Sequence, residues 1–185
     1  MLRFIFIAAA VLTATAVLTS TGCAATHENR NPTGEAFPVV EGQSLEKEAI
    51  ELPSAFAGEP VVLMVGYQQR TQFDIDRWIM GLLQADIQAT IVEVPTIPGL
   101  MPTLASKWID DGMRAGIPEE DWGAVVTLYG SSAKPVAEFT GTQHGQRARI
   151  MVLDGQGVVV WFSDRGYSAT QAMEVAELVI ELNGE

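Results

Sequence analysis

Residues 61–82 read VVLMVGYQQRTQFDIDRWIMGL. Val61 to Val65 is an unbroken apolar run between Pro60 and Gly66. A short β-branched run closed by turn formers predicts a central strand buried on both faces. The polar turn Tyr67-Gln68-Gln69-Arg70 follows, and then Ile75, Trp78, Ile79 and Leu82 recur at helical spacing. That spacing gives a helix one apolar face. Thr71 and Asp74 form a T-x-x-D pattern at its start, which predicts a capping box.

The same alternation continues downstream. Ile87 to Val94 predicts a second strand, stopped by Pro95, and the prolines of residues 95–102 predict a rigid, irregular segment. Thr103 opens a helix carrying Leu104, Trp108, Ile109 and Met113, which ends near Gly116 and Pro118. Ala124–Tyr129 and Val136–Phe139 read as a hairpin about the turn at 130–135. Ile150–Leu153 and Val158–Phe162 read as a second hairpin through Asp154-Gly155-Gln156-Gly157. A last helix starts at Ser168, with Gln171 completing an S-x-x-Q box and Ala172, Val175, Ala176, Val179 and Leu182 on one face. Upstream, Val39-Val40 and Ile50–Leu52 predict a small entry hairpin. Strands alternating with helices, then two hairpins and a closing helix, predict an α/β sandwich on a mixed sheet.

The N-terminus has a separate logic. Arg3 precedes an apolar run from Phe4 to Leu18. That run is short for a membrane span and suits a cleavable export signal over residues 1–22. The stretch Leu18-Thr19-Ser20-Thr21-Gly22-Cys23 resembles the lipobox of bacterial lipoproteins, with Ser20 where that pattern has Leu. The resemblance implies that Cys23 becomes an acylated N-terminus and anchors the chain to a membrane. Ala24 rather than Asp after it resembles the outer-membrane sorting pattern of Gram-negative lipoproteins, facing the periplasm. Residues 23–36 then read as a lipidated, polar tether and 37–185 as the domain.

Cys23 is the only cysteine in 185 residues. The formal charge is −12, which argues against nucleic acid as a partner and against electrostatic adsorption to anionic lipid. The two histidines, His27 and His144, form no metal-ligand spacing with acids or cysteine, so no metal is expected. No phosphate loop, G-x-S-x-G elbow or dinucleotide fingerprint occurs, so no cofactor is expected.

The order of elements resembles the thioredoxin-like superfamily on its peroxiredoxin side. Phe37-Pro38 through Glu51-Leu52-Pro53 to Val61–Leu63 looks like that family's opening, AVVTLYGSSAKPVAEFTG looks like its strand–turn–strand before the late sheet, and RIMVLDGQGVVVWF with SATQAMEVAELVIEL looks like its closing hairpin and helix. The resemblance implies a three-layer sandwich with a mixed central sheet. It is similar to non-redox members, such as thioredoxin-like assembly factors of ATP synthase and small periplasmic thioredoxin-like proteins. Thioredoxins carry C-x-x-C at the start of the first core helix, where the helix dipole lowers a thiol pKa. Here that turn holds no cysteine. In the peroxiredoxin pattern P-x-x-x-T-x-x-C, Thr71 matches the threonine, Tyr67 stands for the proline and Asp74 for the cysteine. Ala148 falls where the family has a proline or arginine, flanked by Arg147 and Arg149.

Thiol chemistry is therefore not expected. The candidate binding residues are Tyr67, Gln68, Gln69, Arg70, Thr71, Asp74 and Arg77 at the helix mouth, with Arg149 beside them. Exposed helix amides plus Arg70 suit an anion or a carboxylate. Thr71 and Asp74 read first as plain helix caps, whereas Tyr67, Gln69 and Arg70 are equally readable as a binding site or as a solvated turn. The expected role is a membrane-anchored binding or assembly module with an envelope protein as partner. The alternative is an enzyme using Asp74, Arg70 and Tyr67 in non-thiol chemistry.

Overall fold

The computed structural model describes residues 26–99 and 103–184. Cys23, the export signal and the end of the proline-rich segment lie outside the described residues. Seven strands form one sheet: β1 (Val40–Ser44), β2 (Ala49–Leu52), β3 (Val61–Gly66), β4 (Thr90–Ile97), β5 (Val126–Tyr129), β6 (Arg149–Leu153) and β7 (Val159–Ser163). Their order is β2-β1-β5-β4-β3-β6-β7. β3, β4 and β5 run parallel, and the other neighbours are antiparallel. Among the described residues four α-helices complete the fold: α1 (Gln72–Gln84), α2 (Thr103–Gly116), α3 (Ala133–Thr140) and α4 (Ala169–Asn183).

The central strand is buried on both faces, as its composition predicts. Val61, Leu63 and Val65 point into one core with Val92, Val94, Leu128, Val136 and Phe139. Val62 and Met64 point into the other with Ile75, Trp78, Leu82, Val175 and Val179. α3 covers the first face, and α1 and α4 cover the second. This is the predicted α/β sandwich with a mixed sheet. Burying both faces of a strand removes its whole apolar surface from water, at roughly 25 cal/mol per Å².

Three predicted boundaries change. Val136–Phe139 is not a strand but the second half of α3. Pro135 lies in the first turn of that helix, where amides are free and a missing N–H costs nothing. Ala133, Val136, Ala137 and Thr140 then bury one face. Pro95 does not stop β4, which runs on to Ile97. Pro95 pairs with Gly66 at the end of β3, and the ladder to β5 takes over at Thr96. The T-x-x-D capping box does not form: Thr71 makes no side-chain cap bond to α1. Gln69–Thr71 is a 3-10 turn that runs into α1, and this turns both side chains toward other segments.

Residues 27–36, within the expected tether, lie against the domain. The His27 carbonyl accepts from the amides of Thr142 and Gln143, and the Arg30 amide donates to the Thr140 carbonyl. Gly34 N–H donates to the Val159 carbonyl, and Ala36 bridges Val158. Pro32 is buried. The segment thus crosses one end of the sheet and then covers the outer edge of β7.

Candidate functional site

The carboxyl ends of β3 and β4 and the start of α1 form one end of the sheet, the helix mouth. Tyr67 leaves β3 and is half-buried. Its hydroxyl donates to the Val136 carbonyl at 3.0 Å and shares a 2.7 Å hydrogen bond with Thr140 Oγ1. Burial pushes its pKa up to about 12, against the Thr140 hydrogen bond and the nearby Arg149 charge. It is neutral at any physiological pH.

Arg149 opens β6 and is fully buried. Its guanidinium donates to Asn29 Oδ1 at 2.9 Å, the Arg147 carbonyl at 2.7 Å, and the carbonyls of Gln143 and His144. Asn29 in turn donates to Asp164 Oδ2 at 2.9 Å, so its amide links the buried cation to a carboxylate. Burial pulls the Arg149 pKa down, while Tyr67 and Asp164 act the other way.

Thr71 is buried. Its hydroxyl donates to the Gly145 carbonyl at 2.6 Å and accepts from the Gln68 amide at 3.2 Å. Asp74 is 3 % exposed. Its two oxygens accept from the backbone amides of Tyr167 at 2.9 Å and Ala148 at 3.0 Å, with Arg77 3.4 Å away. The carboxylate ties α1 to the loops that lead into β6 and α4. At the position the resemblance pairs with a thiol nucleophile, this chain has a carboxylate already engaged by two donors.

The predicted residues thus separate into two groups. Tyr67, Thr71, Asp74 and Arg149 are packed within the fold and bonded to it. Gln68, Gln69, Arg70 and Arg77 are exposed. Arg70 makes no hydrogen bond or ion pair with the described residues, whereas the Gln68 side chain lies against Gly145. Arg70, Asp74 and Tyr67, the residues of the alternative reading, do not converge on one point: one is in solvent, one binds two loop amides and one faces α3. Among the described residues no group of His, Cys, Asp or Glu could hold a metal ion. Sequence reading missed Asn29, Thr140 and Asp164, which complete the Arg149 cluster. The signal was weak, because Asn29 lies in a stretch with tether composition.

A shallow groove of about 370 Å³ adjoins this cluster, lined by Asn29, Arg30, Asn31, Asp164, Arg165 and Gln171 among others. No helix among the described residues is long and apolar enough to cross a membrane.

No family profile and no curated protein matches the sequence. Solved structures do. A thiol:disulfide interchange protein from Bacteroides superposes with a TM-score of 0.54 at 20 % identity, over 80 % of this chain and 90 % of that one. BsSco, a member of the Sco family of cytochrome c oxidase assembly proteins, gives 0.52 at 14 % identity, over 83 % and 98 %. The pneumococcal exposed lipoprotein thioredoxin of Streptococcus pneumoniae gives 0.50 at 15 % identity, over 80 % and 100 %. At these identities the likeness is one of architecture, and it agrees with the strand order and helix placement described above: the chain has a thioredoxin-like fold.

Proposed function

We propose that this protein is a lipid-anchored binding module of the cell envelope whose thioredoxin-like domain carries out no thiol chemistry. The observation that carries the reading is the helix mouth: where the fold can present a reactive thiol, this chain has Gln68, Gln69, Arg70 and a fully engaged Asp74. Its only cysteine is at position 23, inside a lipobox-like junction that follows an export signal. An acylated cysteine has no thiolate to offer, so the scaffold is left with contact rather than electron transfer. The exposed Gln68-Gln69-Arg70 turn is the contact surface. An architectural relative in an oxidase assembly family and another described as an exposed lipoprotein are in keeping with this role, though neither fixes it.

Two measurements test the reading. The chain is expressed in an exporting bacterium and its membrane fraction analysed by mass spectrometry. The expected product begins at an acylated Cys23, and Cys23→Ser releases the protein from the membrane. Recovery of the unmodified cysteine defeats the anchor. Crosslinked partners of the wild-type chain are then compared with those of a Gln69→Ala, Arg70→Ala variant. Unchanged recovery removes the helix mouth as the contact surface.

A further inference from the structure

We propose that the helix-mouth end of the domain seats on the anionic phospholipid headgroups of the membrane that holds Cys23. The proposal rests on the reading of Cys23 as the anchored residue and names what its contact surface meets.

The first support is the length of free chain. His27 is fixed on the domain by its own N–H, which donates to Thr142 Oγ1 at 2.9 Å, and by its carbonyl. Only Ala24, Ala25 and Thr26 separate it from Cys23. The four steps from Cys23 to His27 span about 14 Å at full extension. Salt screens charge over about 8 Å at physiological ionic strength. The leash is therefore short enough to keep the 142–148 loop, and the Gln68–Arg70 turn packed on it through Gly145 and Thr71, beside the membrane and able to come within one screening length of the lipid.

The second support is charge. Residues 26–31, 67–77, 142–149 and 163–167 build this end, with six arginines against four carboxylates. The rest of the chain carries five basic groups against nineteen acids. Of the four carboxylates, Asp74 is buried on two amides, while one of the six arginines, Arg30, is paired with Glu35. Arg70 and Arg147 are exposed, and neither side chain has an ion pair among the described residues. The net charge opposes free adsorption of the domain, but once it is on a short leash its least negative end turns toward an anionic surface, because the acid excess lies in the rest of the chain. Phe73, 75 % exposed on the first turn of α1, adds an aromatic ring at the same end, a residue type suited to the headgroup region.

Residues 26–184 contain both cores, so the chain from Cys23 onward keeps the whole domain. Its only thiol is coupled to maleimide-bearing lipid in two kinds of vesicle: phosphatidylcholine alone, and an equal mixture of phosphatidylcholine and phosphatidylglycerol. Amide hydrogen exchange is then compared. The expected result is severalfold slower exchange over residues 68–73 and 143–148 on the mixed vesicles only. The loops at 57–60 and 154–156, at the far end of β3, stay unchanged. Arg70→Glu with Arg147→Glu abolishes the slowing without lowering the thermal midpoint. Equal exchange on both vesicles, as a protein-only contact surface gives, overturns the proposal, and so does slowing at the far end. The coupling is chemical, so this outcome is independent of whether a cell acylates Cys23, which the mass of the membrane-extracted protein decides.

Discussion

The Arg149 guanidinium lies over the Tyr67 ring, 5.4 Å from its centroid, with no water-accessible surface of its own. A cation in that position is tolerated because the ring face, three backbone carbonyls and the Asn29 amide oxygen replace the hydration of its two terminal nitrogens, while Nε has no partner among the described residues. The planar fork is what reaches those acceptors from two separate nitrogens, and a lysine presents its donors from a single one. Arg149→Lys is expected to cost about 2–3 kcal/mol in urea unfolding. Equal stability of variant and wild type refutes the cluster as a structural element.

Asp74 holds two loop amides that no other side chain reaches. Asp74→Asn keeps the volume but replaces one acceptor oxygen with a donor that faces an N–H. A loss of about 2 kcal/mol is expected, with faster amide exchange at Ala148 and Tyr167. If instead the variant is fully stable but loses a catalytic activity of the wild-type chain, the carboxylate serves chemistry and not architecture.

The segment 27–36 makes backbone bonds to Thr140, Thr142 and Val159, and Asn29 links Arg149 to Asp164. Deleting residues 24–36 leaves a buried guanidinium short of an acceptor and uncovers β7. The thermal midpoint is expected to fall by about 5 °C or more, as a loss of roughly 1–2 kcal/mol does in a domain of this size. A tether that merely spans distance gives no change.

The strands at 61–65, 150–153 and 159–162 and the Ser168 cap were legible because their signals are local: β-branched runs, a four-residue turn and a cap three residues from its amide. α3 was not, since eight residues with a proline near the start look equally like a short strand. The site was legible in position but not in state. Tyr67, Asp74 and Arg149 gather where the sequence places them, but their partners lie 69, 93 and 120 residues away at Val136, Tyr167 and Asn29. Exposure at the mouth depends on those distant partners, so no local pattern separates the engaged Asp74 from the solvent-facing Arg70.

Gly81 lies inside α1, where glycine is about 1 kcal/mol worse than alanine. A Cβ there would stand 2.5 Å from Tyr167 Cε2 and 2.7 Å from its hydroxyl oxygen. Tyr167 packs edge-on against Trp78 at 5.7 Å, which fixes the loop whose amide binds Asp74. Gly81→Ala is expected to destabilise by about 1–2 kcal/mol despite its better helix propensity, because the ring must leave its site. Near-ultraviolet circular dichroism of the Trp78 and Tyr167 pair should change with it. A stabilised variant would show that the ring moves freely.

Glu93 is a buried carboxylate on β4, 8 % exposed, with Gln72 Nε2 donating to it at 3.3 Å. Burial raises its pKa above the ordinary 4.5, the Gln72 hydrogen bond opposes this, and Asp76 adds to the rise. A carboxyl whose pKa is raised by folding favours the fold most when protonated. Its contribution is complete below 4.5 and is lost as pH climbs through the raised value. At neutral pH the folded chain therefore carries a desolvated charge. Glu93→Gln removes that charge and keeps an oxygen for Gln72. It is expected to raise stability at pH 7 by on the order of 1 kcal/mol, with the gain shrinking as pH falls through the raised value toward 4.5 and changing no further below that. Urea unfolding of both chains across that range decides it: a gain that is constant with pH, or absent at pH 7, means the carboxylate is compensated where it sits.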